Sequence, residues 1–313
     1  MRKALAIGIN NYPGSPLSGC INDASAFAAT IERNGDGSPN FAVRLETDVP
    51  TKSALKSMIV ELFSGDSDIA LLYYSGHGFL NELGGYIVTP DHKRYDEGVS
   101  MDEILNLVNN SKAKDKIIIL DCCNSGAFGS PAITGGAASH INAGTVILTA
   151  SRDSESALEV DGHGVFTSLL LDALLGGAAD LGGYITPGSV YAHIDQALGP
   201  WDQRPIFKTN VSSFVPLRTI TPSVPLDVLR KITEYFPTPQ QEYALDPSYE
   251  FTNNDVAKPE NVAIFKNLQK FQSVNLVVPV NADYMYFAAQ NSKSCKLTAL
   301  GYHYWRLVKE KRI

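Results

Sequence analysis

Two short segments of this chain carry residue types able to perform nucleophilic chemistry. Ser75-Gly-His-Gly78 sets an imidazole between two glycines, and Asp121-Cys-Cys-Asn-Ser-Gly126 sets two adjacent thiols beside a carboxylate. A cysteine becomes a competent nucleophile when a neighbouring base takes its proton, so His77 and Cys123 form a candidate catalytic pair if the fold brings them together. The glycines around His77 permit a sharp turn and a close approach to a substrate backbone. The amides of Gly78 and Cys123 are then candidates to donate to a developing oxyanion. Each half also has an ordinary explanation, since G-H-G can be a tight turn with a surface imidazole and a buried cysteine is commonly just a small apolar residue. Cys122 competes for the nucleophile's role, but strand alternation would turn it into the core whenever Cys123 faces a cleft. A serine acyl hydrolase built on Ser75 or Ser125 is disfavoured, because neither lies in a G-x-S-x-G elbow.

Both segments follow apolar runs that read as strands buried on both faces: Ile69 to Tyr74 before His77, and Lys116 to Leu120 before Cys123. Ala4 to Ile9 and Thr145 to Thr149 have the same character. Helical segments lie between and after them, Asp23 to Arg33, Thr51 to Phe63, Met101 to Val108, Phe166 to Leu175 and Thr186 to Ala197, with Thr51 and Thr186-Pro187 as start signals. The alternation predicts an α/β fold with a mostly parallel sheet flanked by helices, whose polar chemistry gathers at the carboxyl ends of the strands. Around Val215 to Pro225 three prolines interrupt any regular element, so the chain divides into residues 1–217 and a smaller domain, 218–313. In the latter, a helix from Leu226 to Tyr235, a helix from Val262 to Phe271, a strand from Asn275 to Val280, a second strand-like segment from Tyr284 to Ala288 and a closing helix to Lys309 suggest a winged-helix-like domain.

A formal charge of -7 over 313 residues counts against a general binder of nucleic acid or anionic membrane. Lys293, Lys296, Arg306, Lys309, Lys311 and Arg312 make the carboxyl-terminal region locally basic, which fits a protein partner or a solvated helix face as well as DNA. The run Ala4 to Ile9 is too short for a secretory signal, and no stretch reaches the length of a membrane helix, so a cytoplasmic location is expected. Four cysteines without a signal segment point to thiols rather than disulfides. No zinc spacing, phosphate-binding loop or dinucleotide fingerprint is present, so neither a metal nor a cofactor is expected. His163, between two glycines in Asp161-Gly-His-Gly164, reads as a loop residue.

The paired S-G-H-G and D-x-C-x-S-G blocks resemble those of metacaspases and related bacterial caspase-like peptidases. Lys3 to Asn10, Leu17 to Ala24, Thr149-Ala-Ser-Arg152, Gly164-Val-Phe-Thr167 and Gln203-Arg-Pro-Ile-Phe207 extend the resemblance over roughly residues 3 to 210. The His77 to Cys123 separation is also close to the roughly 50 residues typical of caspases. The resemblance implies a caspase-type fold and a cysteine endopeptidase with His77 as base and Cys123 as nucleophile. Metacaspases usually read D-S-C-H-S-G, so Cys122 and Asn124 depart from the pattern without touching that pair. The family's acidic primary pocket matches Cys20, Asp23, Ser75 and Asp121, which implies cleavage of protein or peptide substrates after Arg or Lys. A buried carboxylate welcomes a guanidinium and repels an acidic side chain. Asp23 also suits a helix amino terminus on dipole grounds, and the two roles are compatible. Arg152 and Asp153 fall where caspase folds place a substrate-lining loop. Ser100-Met-Asp-Glu103 keeps only part of the family's acidic cluster, which counts against a calcium requirement. Bacterial caspase-like proteins are often signal-activated effectors, so an activating small molecule or protein partner is an expected kind of regulator. The loop from Phe128 to Ile141 contains no Lys or Arg, so self-cleavage within it is not expected. The rival reading is a non-catalytic caspase-like scaffold whose carboxyl-terminal domain binds a partner or ligand.

Overall fold

The computed structural model describes residues 1–122, 140–150, 159–160, 163–198 and 204–313. The chain forms two compact units, one of residues 1–179 and 184–220, the other of residues 180–183 and 221–313. In the first, β1 (Arg2–Gly8), α1 (Cys20–Glu32), β2 (Ala42–Thr47), α2 (Lys52–Phe63) and β3 (Ile69–Ser75) are followed by a three-stranded excursion, β4 (Gly78–Asn81), β5 (Gly84–Lys93) and β6 (Asp96–Ser100). Then come α3 (Met101–Asn110), β7 (Asp115–Asp121), β8 (Thr145–Thr149) and a short antiparallel pair, β9 (Glu159–Val160) and β10 (His163–Gly164). The unit ends with α4 (Val165–Asp172), β11 (Tyr184–Ile185), α5 (Pro187–Ala197), β12 (Ile206–Asn210) and β13 (Arg218–Thr219).

Among the described residues the main sheet has six strands in the order β12-β8-β7-β3-β1-β2, parallel except for β12 at one edge. The four strands expected from apolar runs are its centre. Their side chains alternate between two cores: Leu5, Ile7, Leu72, Tyr74, Ile118 and Leu120 pack on one face, Ala4, Ala6, Leu71, Tyr73, Ile117 and Ile119 on the other. Helices α2 and α3 contribute to the first core, and α1, α4 and α5 to the second. Burial of such surface stabilises the unit by roughly 25 cal/mol per Å². The helix signals act as expected at two starts. Thr51 accepts from the Ala54 amide, and Thr186 and Ser189 form a reciprocal capping box with Pro187 in the first turn.

The second unit contains α6 (Leu226–Leu229), α7 (Ile232–Tyr235), β14 (Tyr243–Ala244), α8 (Pro259–Ser273), β15 (Val277–Val280), α9 (Met285–Gln290), β16 (Ser294–Leu297) and α10 (Ala299–Lys309). Its sheet runs β14-β16-β15, antiparallel throughout. One expectation is corrected: Tyr284 to Ala288 is not the second strand of a wing but mostly helix α9, which buries Met285, Ala288 and Ala289 at helical spacing. The partner of β15 is instead β16, which starts at Ser294, well past that segment. Trp305 of α10 donates its indole N–H to the Phe236 carbonyl at 2.6 Å, so it is a packing residue here. Cys295 is fully buried, and desolvation followed by the charge of Glu242 pushes its thiol up to about 12.

Gly8 closes β1 directly against the first turn of α1. A Cβ there would collide with the Cys20 carbonyl and sit 2.9 Å from the Ala24 Cβ. Replacing Gly8 by Ala is expected to cost about 1–3 kcal/mol, as for overpacked cores. Chemical denaturation followed by circular dichroism measures it, and an unchanged midpoint would show that α1 yields easily.

Candidate active site

Parallel pairing brings three strand ends into line. Gly8 of β1 lies opposite Ser75 of β3, and Ser75 lies opposite Asp121 of β7. Odd-numbered residues of β3 and β7 share the face of the second core, so Tyr73, Ser75 and Asp121 all turn toward α1 and α4. Even-numbered ones face the first core, where Tyr74 and the buried Cys122 pack with Tyr12. Cys123, the candidate nucleophile, and Arg152 and Asp153 lie outside the described residues.

His77 stands two residues beyond the end of β3, partly exposed. Its Nε2 is 2.8 Å from the Ser15 carbonyl and 3.3 Å from the Ser15 hydroxyl. A carbonyl oxygen only accepts, so Nε2 carries the proton of that bond and Nδ1 is the nitrogen with a lone pair in the neutral ring. The Tyr12 ring packs against the imidazole at 4.5 Å between centroids, and the Tyr12 hydroxyl accepts from the His77 amide at 3.1 Å. Tyr74 donates to the His77 carbonyl at 2.9 Å, and the Val88 amide donates to the same oxygen at 2.9 Å. Burial raises the phenol of Tyr12 and holds that of Tyr74 well above the usual tyrosine value, which keeps both neutral as hydrogen-bond partners. Gly76 is required between these rings, because a Cβ would come within 2.5 Å of both hydroxyls. Gly78 opens β4 and pairs in register with Ile87.

The loop from β1 to α1 that delivers Ser15 is fixed by side chains. Asp48 accepts from the amides of Asn10 and Asn11 at 2.8 and 3.0 Å. Asn10 in turn accepts from the amides of Cys20 and Ile21 at 3.0 and 3.3 Å, capping α1 from outside, since Gly19 has no side chain to do so. Sequence reasoning missed Tyr12 and Ser15; the only hint was the turn-forming run from Asn10 to Ser15 before the expected helix.

Of the residues expected at Cys20, Asp23, Ser75 and Asp121, the last three meet on the other face. All four are buried. Asp23, in the first turn of α1, accepts from Ser75 Oγ at 3.4 Å and the Gly164 amide at 3.2 Å through Oδ2. Its Oδ1 lies 2.7 Å from Nδ1 of His163. His163 is therefore no loop residue: it belongs to β10 and forms an ion pair with the Asp23 carboxylate when protonated. Asp121 Oδ2 accepts from Thr167 Oγ1 at 2.6 Å, and since Thr167 donates there, its oxygen receives the proton of the Tyr73 hydroxyl, also 2.6 Å away. The two carboxylates are neighbours, because a Cβ on Gly164 would be 2.8 Å from Asp121 Oδ2 and 3.3 Å from Asp23 Oδ2. Burial raises the Asp23 carboxyl above the usual range, opposed by its bonds from His163, Gly164 and Ser75. Tyr73 is raised by burial and then by the charges of Asp121 and Asp23.

Glu103 pairs with Lys56 at 2.5 Å, and among the described residues no group of three or more His, Cys, Asp or Glu could hold an ion. Among the same residues, no helix is long and apolar enough to cross a membrane.

A family model described as the caspase domain matches residues 1–213. The chain belongs to the caspase-domain family. Metacaspase-2 of Trypanosoma brucei brucei is 29% identical over 151 residues, covering 40% of this chain and 42% of that protein. Metacaspase-3 of Trypanosoma cruzi is 24% identical over 149 residues, covering 40% of each. The chain thus spans about two-fifths of the length of the curated relatives it matches. Among solved structures, caspase-1 of Spodoptera frugiperda matches with a TM-score of 0.50 at 12% identity, over 70% of this chain and 90% of the other. A Geobacter sulfurreducens protein matches with the same TM-score of 0.50 at 19% identity, over 70% of this chain and 99% of the other. The caspase fold, with its mostly parallel sheet flanked by helices, follows for this chain, and the family it belongs to is one of cysteine peptidases.

The raised Asp23 carboxyl makes a linkage prediction. A folded value above the unfolded one of about 4 means that stability from the protonated form is present below about pH 4 and is lost as pH rises through the folded value. Asn at position 23 cannot ionise, so the stability of Asp23→Asn relative to wild type is expected to increase as pH rises above about 4. Urea denaturation at fixed pH values measures this, and the opposite slope would mean that the donors around Asp23 outweigh its burial.

Proposed function

We propose that this caspase-domain chain is a cysteine endopeptidase that cleaves after Arg or Lys. His77 accepts the thiol proton of Cys123 through Nδ1, the thiolate attacks the carbonyl carbon of the scissile bond, and the oxyanion is held by the amides of Gly78 and Cys123. The protonated His77 then gives its proton to the leaving amine, and water, deprotonated by the same imidazole, hydrolyses the thioester. The observation that carries this reading is the buried pair Asp23 and Asp121 beside the strand tip bearing an imidazole already oriented by the Ser15 carbonyl. Two carboxylates held side by side in a desolvated place favour a cation and exclude an acidic side chain. His77 and Cys123 each stand two residues beyond the in-register pair Ser75 and Asp121, which supports their meeting. Arg152 is assigned to the substrate-lining loop. No cofactor enters the scheme, and calcium is left out because Glu103 is engaged by Lys56.

The second unit serves regulation or assembly in this reading, responding to a small-molecule signal or protein partner, in the cytoplasm. The order β14-β16-β15 with a preceding helix α8 supports a winged-helix-like arrangement, though with α9 inserted between its last two strands.

Fluorogenic peptides ending in Arg, Lys or Asp test the specificity. Arg and Lys peptides are expected to be cleaved and Asp peptides not, and Cys123→Ala or His77→Ala is expected to reduce kcat/KM at least about 10³-fold. Cleavage of the Asp peptide, or full activity of Cys123→Ala, refutes the proposal. Brief iodoacetamide treatment is a separate check. Cys20, Cys122 and Cys295 are buried thiols, so peptide mapping is expected to find Cys123 alkylated first.

A further inference from the structure

Asp23 and Asp121 sit together in a buried place that a basic side chain is proposed to enter, and that place already has a cation-forming group of the protein's own in it. His163 Nδ1 lies 2.7 Å from Asp23 Oδ1. The Asp23 side chain is 3% exposed while that of His163 is 35% exposed, so the imidazole links a buried carboxylate to a solvent-accessible position. The other carboxylate oxygen is held by the backbone of the neighbouring residue, Gly164, and by Ser75. Gly164 passes so close to both carboxylates that it has room for no side chain. The pair β9 and β10 has only two residues in each strand, and so few ladder bonds hold it.

From this geometry we infer that His163 is a specificity and affinity determinant of the pocket: its imidazole holds the position on Asp23 that a substrate cation must take, so substrate binding displaces the imidazole from that oxygen. The inference rests on the reading of Asp23 and Asp121 as receivers of Arg or Lys. Exchange explains how a buried carboxylate is accommodated before substrate arrives, since an uncompensated charge in that position is costly. It also makes the pocket selective. A guanidinium or ammonium offers the carboxylate both charge and hydrogen bonds in place of the imidazole, which a neutral side chain cannot do. Because His163 acts on substrate through Asp23, it is a positioning residue and affects binding more than the chemical step.

The experiment splits KM from kcat. His163→Ala and the more conservative His163→Gln are expected to lower KM for Arg and Lys peptides about 10-fold with kcat changed less than about 3-fold. The gain should vanish when Asp23→Asn is already present, as a double-mutant cycle requires for directly coupled groups. A raised or unchanged KM in His163→Gln, with the fold intact by circular dichroism, overturns the inference by showing that the imidazole supports the site rather than competes for it. A second arm leaves His163 in place. In Cys123→Ala protein with labelled histidine, titration of N-acetyl-arginine amide is expected to shift the His163 ring signals saturably, while N-acetyl-glutamine amide leaves them unmoved. If wild type cleaves after Arg or Lys and these signals stay still, only the exchange is refuted. If wild type cleaves no basic peptide, the specificity reading beneath it falls first.

Discussion

The register of three parallel strands governs the rest of this molecule. With Gly8, Ser75 and Asp121 level at the carboxyl edge of the sheet, the two-residue period of a strand decides every nearby side chain's destination. Tyr73, Ser75 and Asp121 go to the face covered by α1 and α4, where polar groups and Asp23 meet them. Tyr74 and Cys122 go to the opposite face, where they help pack the Tyr12 ring that carries His77. A slip of one residue between β3 and β7 would exchange these sets, putting a carboxylate into the apolar core and a thiol among the acids. Both cores are filled with tight aliphatic packing, so the register has strong energetic enforcement and the polar edge inherits its precision.

The site consists of two compartments that share only the strand tips. On one side, hydroxyls of neutral tyrosines hold the His77 backbone and a main-chain oxygen holds its imidazole. On the other, a relay from Tyr73 through Thr167 to Asp121, and the contacts to Asp23, stabilise negative charge inside the protein. The separation keeps the acids apart from the His77 imidazole, so each group can be tuned by its own neighbours.

How much of this the sequence disclosed depends on the kind of contact. The central strands were legible because burial on both faces demands uninterrupted aliphatic runs. Strand β2 was not, for it is an edge whose Arg44 and Glu46 belong to solvent and break the pattern. Tyr284 to Ala288 looked like a strand because aromatics favour sheets, while the spacing of Met285, Ala288 and Ala289 was the better guide. Cys20, Asp23, Ser75 and Asp121 were found together through family resemblance rather than local pattern. The contact of His163 with Asp23 joins residues 140 positions apart, and nothing in either neighbourhood announces it. Thr167 lay inside a family-like block, but its role needed the relay to be visible.

The group that orients His77 is a peptide oxygen, and this has a consequence for how the protein can change over generations. Any residue at position 15 offers the same oxygen, so a base in the proposed chemistry would depend on a contact that codon changes at that position leave in place. The vulnerability moves to Asn10 and Asp48, whose side chains hold the loop at both ends. A drifting sequence would therefore show freedom at the point of contact and restriction at two places that never touch the imidazole.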